Sequence, residues 1–452
     1  MAGRSSHEID ILNGPILKKY FLFIIPLALG NILQLLFNAA DVIVVGRFAG
    51  AGALAAVGST TALVNLYIQI FIGLSTGVNI QTAGAYATGN HDKVSRIVHA
   101  SMGLSLMCGI ATLIFALITV RPLLILTSTP DDILDMTCLY MYIYCIGLPA
   151  SVVYNFGSAI LRSIGDTKRP MYYLIAAGIV NLVLNIISVV CLGMGVAGVA
   201  IATTVSNFIS AILVLQALIR EDSALKLNLR KLSLDRRITK DIMTLGVPIA
   251  VQNSLYSIPN IMIQSSINTF GSIVVAGNAA SQSIEGFQIA FLTSNGIAAA
   301  TFTAQHVSAR KFKRADKVMR TILICAVIIS LSMGITFSIF RAPLLSLYNK
   351  DPEVIAIGSR RLVIMVMTDF LDAIMSIFSN TLRGYGKSIQ PTLITLIFVC
   401  GFRMIWIIVL LPFFNFFEFV LLAWPVSWIL SIIVLVIYFT HVRAGFPRED
   451  LG

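Results

Sequence analysis

The sequence predicts an all-α membrane protein of about twelve transmembrane helices, built as two pseudo-symmetric six-helix lobes. Three observations predict it. Apolar stretches recur from end to end between short polar breaks, at the length of roughly 20 residues that crosses a bilayer as a helix. Only 12% of the 452 residues are charged and the mean hydropathy is +0.88, whereas a soluble domain carries about 25% charged residues. Finally, motifs of the first half return in the second in the same order.

The spans fall near 18–45, 53–82, 95–120, 133–160, 171–192, 197–219, 241–268, 275–304, 318–340, 354–381, 391–412 and 418–440. Helices are expected because a membrane β-barrel would show short alternating segments instead of long apolar runs. The first run, Tyr20 to Val45, is too long for a cleavable signal peptide and lacks a small-residue cleavage site, so it is expected to remain as the first span.

Connections set the orientation. Twenty-five of the 32 basic residues lie on one face, beginning with Arg4, Lys18 and Lys19 and densest from Arg220 to Lys240 and from Arg310 to Arg320. Six lie on the other: Arg47, Arg121, Arg341, Lys350, Arg360 and Arg361. Excess Lys and Arg marks the cytoplasmic side. This predicts a multi-pass protein of the cell (inner) membrane with both termini cytoplasmic. The longest polar connection divides the chain into a first lobe at 1–220, a cytoplasmic linker at 221–241 and a second lobe at 242–452.

A net charge of +11 could suggest nucleic-acid binding, but the basic residues follow alternate loops and gather on no single domain, so no nucleic-acid partner is expected. The six cysteines form no C-x-x-C pair, and His7, His91, His99, His306 and His441 show no ligand spacing, so no metal is expected. GKS at Gly386 to Ser388 imitates the end of a phosphate-binding loop, but the earlier glycine such a loop needs is Thr381.

A shift of about 222 positions lays IPLALGNILQLLFN over VPIAVQNSLYSIPN, so that Pro26, Asn31 and Asn38 fall on Pro248, Asn253 and Asn260. The same shift lays LRSIGDTKRP, from Leu161, over LRGYGKSIQP, from Leu382, and DKVSR over DKVMR. Six spans per half give both halves one orientation, related by an axis along the membrane normal, and transporters of this plan bind substrate between halves.

An ionisable side chain at mid-membrane is costly, so each marks a functional position by default. Five stand out: Asp41, Glu285, Asp369, Asp372 and Arg403. Asn31, Gln34, Asn38 and Asp41 share one stripe of the first helix, which must face protein or water. Pro26 removes a backbone hydrogen bond upstream and marks a hinge. A carboxylate beyond a hinge suits a proton switch, because neutralising it changes what the helix contacts. Asn181 and Asn185 share a face of the fifth span, with Asn155 and Thr203 as further polar partners. Such amides serve equally as interhelical ties. Asp369 and Asp372 roughly share a face, and Arg403 could neutralise one of the acids. Asn253, Tyr256, Asn260, Gln34 and Asn38 complete the expected polar cavity. Repeat symmetry places Ile263 opposite Asp41 and Ser151 opposite Asp372, so the lobes share a scaffold but not their acids.

These residues resemble the multidrug and toxic compound extrusion (MATE) family of cation-coupled antiporters, in its bacterial form. Asn38 to Gly46 followed by GALAAVG resembles the family's opening segment, the LRSIGDTKRP and LRGYGKSIQP pair its twice-used loop, and DAIMSIFSNTLRG, from Asp372, its tenth-helix signature. The resemblance covers essentially the whole chain. It implies export of amphipathic, often cationic compounds against inward H⁺ or Na⁺ by alternating access, without a cofactor and from a monomer. It also assigns coupling to Asp41, Asn181 and Asp372. Asn185 stands where one branch has a second acid, and the seventh span lacks a glutamate another branch uses.

The alternative is a flippase for a lipid-linked oligosaccharide or cell-wall precursor. It would line its cavity with several Arg or Lys for pyrophosphate, and Arg403 is the one intramembrane candidate in the sequence. An enzyme would need a clustered nucleophile, metal or acid/base set, and a channel a repeated filter; neither pattern is present.

Overall fold

A computed structural model describes residues 8–127, 129–414 and 416–451; Arg4 and His7 lie outside them. The described residues are helical almost throughout and contain no strand. Among the described residues nine helices are long and apolar enough to cross a membrane, and a tenth is reached when the bent pair Asp131–Ile146 (α4) and Leu148–Ser163 (α5) counts as one span, with a 44° bend at Gly147. The expected seventh and eighth spans are also helical but fall short of that apolar test. The seventh is split into Arg236–Leu255 (α8) and Ser257–Asn268 (α9), and the eighth, Ser272–Ser308 (α10), carries Asn278, Ser281, Glu285, Gln288 and Asn295.

The chain forms two compact units. Among the described residues the first comprises 8–10 and Ile25–Gly246, and the second Ile11–Ile24 and the residues from Val247 onward. Residues 221–235 therefore belong with the first unit, where Leu225 and Leu227 are buried and the Asn228 N–H donates to Nε2 of His99 at 3.0 Å.

In the first unit lie Ile16–Phe48 (α1, from Ile25), Ala51–Ala87 (α2), His91–Leu126 (α3), α4, α5, Lys168–Asn185 (α6) and Gly195–Arg220 (α7). α3 and α7 both pack on α5, and α6 packs on α7. In the second, α10 packs on Pro352–Gly384 (α13) along its length, and Phe312–Ile339 (α11) and Phe417–Ala444 (α16) flank α13. Arg341–Ser346 (α12), Ile389–Thr395 (α14) and Phe402–Ile405 (α15) complete it. Large apolar side chains such as Ile114, Phe115, Ile118, Ile328, Ile339 and Ile437 remain exposed, an apolar surface that hydrocarbon rather than water accommodates.

The repeat is legible in the backbone. α5 ends with the Gly165 N–H bonded to the Arg162 carbonyl and the Asp166 N–H to that of Leu161, and α13 ends with the same two bonds from Gly386 to Arg383 and from Lys387 to Leu382. Gly165 and Gly386 take the left-handed φ values of +90° and +80° that this helix stop requires. π-helical turns also interrupt the fifth span of each repeat, at Ile186–Cys191 in the first and at Leu396–Gly401 and Trp406–Leu410 in the second.

Candidate functional site

In the first unit the site grows from the close approach of α1 and α6. Gly178 makes it possible: a Cβ there would sit about 2.0 Å from the Phe37 ring. One helical turn further along α1, the half-buried Asp41 meets α6, where Nδ2 of the buried Asn185 donates to its Oδ1 at 2.5 Å. The same Nδ2 reaches Oδ1 of Asn181 at 3.2 Å, and Nδ2 of Asn181 donates to Oγ1 of Thr203 on α7 at 3.4 Å. Oδ1 of Asn185 is buried without a hydrogen-bond partner. Three helices thus join a carboxylate, two amides and a hydroxyl in one hydrogen-bonded chain. Oxygen-rich sets of this kind hold a proton or a hard cation.

Of the remaining candidates in this unit, Gln34 and Asn38 are exposed on the same stripe of α1. Asn155 is not drawn into the Asp41 group; its Nδ2 donates back to the Ser151 carbonyl of its own helix at 2.8 Å. Pro26 lies inside α1, which runs unbroken past it.

The second unit holds more charge, arranged along the facing stripes of α10 and α13. Nη1 of Arg361 donates to Glu285 Oε2 at 2.6 Å and to Ser281 Oγ at 2.9 Å, while its Nε donates to Asn278 Oδ1 at 2.6 Å. Arg361, counted above with the outer loops, is instead a residue of α13 and 3% exposed, whereas its neighbour Arg360 on the same helix is exposed and pairs with Glu418. The partner of Glu285 is therefore Arg361. Arg403 is directed elsewhere: its guanidinium lies 5.5 Å from the ring centroid of Trp424 and 5.7 Å from that of Trp428, and its Nε donates to Ser427 Oγ at 2.9 Å. The charges of Arg403 and Glu285 act on Asp372. Asp369 is 2% exposed, and its Oδ2 has no hydrogen-bond partner.

Further along, where α8 meets the end of α13, Nε2 of Gln252 donates to Tyr256 Oη at 2.9 Å, and its Oε1 accepts from Arg383 Nη2 at 2.7 Å. Arg383 Nη1 also donates to Asn380 Oδ1 at 3.0 Å. Asn253 is half-buried and Asn260 exposed. Where α1 carries Asp41, the second repeat carries Ile263, 1% exposed in an apolar cluster with Ile267, Phe417, Val420 and Leu421. The acid of one unit corresponds to core in the other.

The chain matches the MatE family twice, over residues 26–187 and 248–409. The chain belongs to that family. It is a multi-span membrane transporter rather than an enzyme. Among its relatives is "Probable multidrug resistance protein YoeA" of Bacillus subtilis, 29% identical over 397 residues that cover 85% of this chain and 84% of that protein. A second is a "Probable multidrug resistance protein NorM" of Thermotoga maritima, 26% identical over 85% of this chain and 83% of the relative. A third, from Shewanella oneidensis, is named "FAD transporter" and is 24% identical over 85% and 86% of the two chains. The fold is shared with an outward-facing multidrug resistance MATE family transporter of the MOP superfamily, at a TM-score of 0.89 and 22% identity over 98% of this chain and 99% of that one.

Both family matches begin at an aligned proline, Pro26 and Pro248, so the repeat seen in the sequence is one family unit used twice. Sequence reasoning missed Arg361, Gln288, Gln252 and Arg383. The signal for Arg361 was present: it stands eight residues before Asp369 on the helix that also carries Asp372, well within the expected tenth span. Gln288 carried a similar signal, one turn beyond Glu285.

Proposed function

We propose that this MatE-family protein is a secondary active antiporter. It exports amphipathic, cationic drugs or toxic organic compounds in exchange for H⁺ or Na⁺ by alternating access. The observation that carries this reading is the Asp41 group: a membrane-embedded carboxylate held against Asn185 and Asn181 from a neighbouring helix. A buried acid without a basic partner is costly unless it takes a cation. Binding one there changes the charge of α1 at its junction with α6. Two relatives are named as probable multidrug resistance proteins, which supports drugs as the cargo.

In this reading Asp41, Asn181 and Asn185 couple the ion in the first unit, and Asp372 contributes in the second. Gln34, Asn38, Asn155, Thr203, Asn253, Tyr256, Asn260, Glu285, Asp369 and Arg403 line the substrate path, and Pro26 is the hinge. The protein acts as a monomer in the cell (inner) membrane with both termini cytoplasmic.

A second reading is a flippase for lipid-linked pyrophosphates, and one observation favours it: three buried arginines, Arg361, Arg383 and Arg403, stand in the second unit rather than one. Each is engaged, however, by Glu285, by Gln252 and Asn380, or by Trp424, Trp428 and Ser427. Proteoliposomes loaded with a cationic dye separate the readings. Antiport predicts dye movement under an imposed proton or sodium gradient, abolished in Asp41→Asn; movement under neither gradient overturns it.

A further inference from the structure

The charges around Asp369 do not balance: Glu285 and Asp372 act on it with Arg361. Glu285 is neutralised by Arg361 at 2.6 Å, and Asp372 stands under the charge of Arg403. Asp369 is left over, 2% exposed and with one carboxylate oxygen lacking any hydrogen-bond partner. Its electrostatic surroundings are Glu285, Asp372 and Arg361. The other elements packed on α13 add no charge at this level: α11 has none between Arg320 and Arg341, α16 none between Glu418 and His441, and α14 none at all. An ionised Asp369 would leave the cluster with an uncompensated negative charge at a position only 2% exposed, an arrangement proteins avoid.

A second orphan stands at the same depth. Gln288 is wholly buried on α10, and its Nε2 is committed to the Ser330 hydroxyl at 3.1 Å and the Val366 carbonyl at 3.0 Å. That fixes the amide with Nε2 toward α11 and α13 and leaves Oε1 without a donor. α10 and α13 keep one parallel register: Gly277 packs on Gly358, and Gly296 on Ser376 and Asn380. Carried along that register, Gln288 is level with Asp369. Two acceptors that share a buried layer and lack a donor are both satisfied by one added proton.

We propose that Asp369 binds a proton, whose O–H donates to Oε1 of Gln288. This is a buried proton site in the second unit, separate from Asp41 and from Asp372. The proton enters from water onto a carboxylate oxygen and leaves by the same bond, with no other group consumed. A proton fits where a metal ion would not, because Oδ2 of Asp369 and Oε1 of Gln288 offer two unpartnered oxygens, against the roughly six that a hard metal ion takes. Exchange of this proton during transport rests on the antiport reading; the site itself does not.

Infrared difference spectra of the purified full-length protein in lipid nanodiscs, recorded between neutral and alkaline pH, test the site directly. The expected result is a protonated-carboxyl C=O band at neutral pH that Asp369→Asn removes. Gln288→Met, which withdraws the acceptor but keeps the volume, shifts the band to higher frequency. A band unchanged in both variants overturns the proposal. If Asp369→Asn does not fold, an unshifted band in Gln288→Met overturns it alone. Dye-driven proton flux in liposomes is measured beside these spectra. Absent flux in the native protein with the band present refutes the antiport reading and leaves the site standing, and the converse refutes only the site.

Discussion

Asn185 donates its amide N–H to Asp41 at 2.5 Å, tying α6 to the acid of α1. An amide donor favours the charged carboxylate, and Oδ1 of Asn185 has no hydrogen-bond partner. Asp41→Asn places a second neutral amide there, preserving shape while removing the charge. Dye-driven proton or sodium flux is expected to fall to the level of empty liposomes, while dye binding in detergent changes less than tenfold. Coupled flux retained in Asp41→Asn would sink the coupling role.

Gly178 decides whether that contact can form. Any side chain at this position enters the Phe37 ring, and overpacking a tight helix contact costs about 1–3 kcal/mol. Gly178→Ala is expected to lower the melting temperature and to weaken transport together. Pairing it with Phe37→Leu, which opens space opposite, should recover part of both. A lone effect on transport, with melting unchanged, would show that the helix approach is not what Gly178 serves.

Arg361 and Glu285 form a buried pair, 3% and 5% exposed. Removing one partner of such a pair strands the other and costs about 3–5 kcal/mol. Arg361→Met should therefore destabilise strongly in thermal melts. Arg361→Met combined with Glu285→Met replaces both charges by apolar volume and should recover most of the loss. Equal destabilisation in the single and double variants would mean that the pair is not the source.

The two-lobe plan was legible because it rests on periodic features: apolar runs of bilayer length, basic loops on alternate faces, and prolines and glycines recurring at one offset. The Asp41, Asn181 and Asn185 stripe was legible for the same reason, since residues three and four apart share a helical face. What the sequence did not disclose depends on contacts between helices. Arg361 was assigned to a loop because an Arg pair at a helix start looks solvated; only Asn278, Ser281 and Glu285 on α10 explain its burial. The π-helical turn at Ile186–Cys191 has no Pro or Gly within it to announce it, whereas Pro259, which lacks the N–H that would pair with the Leu255 carbonyl, was the unread signal for the break of the seventh span at Tyr256. The Phe37 contact of Gly178 is likewise invisible in a chain of 32 glycines.

The duplicated helix stop offers a comparison within one molecule. Gly165 and Gly386 both need a left-handed φ, so an alanine at either carries a backbone strain of about 1 kcal/mol. Their surroundings differ. A Cβ on Gly386 meets nothing within 4 Å, whereas one on Gly165 would sit 2.8 Å from Ile9 Cβ and 2.9 Å from its carbonyl oxygen. Gly386→Ala should therefore show the strain alone, with a small drop in melting temperature and nearly intact transport. Gly165→Ala should show the strain plus displacement of the segment around Ile9, and so a drop at least twice as large. Limited proteolysis near residues 8–10 reports that displacement independently, and it should increase in Gly165→Ala and not in Gly386→Ala. Equal drops in the two variants would mean that strain accounts for both, and that the packing of Ile9 on the α5 stop adds no stability.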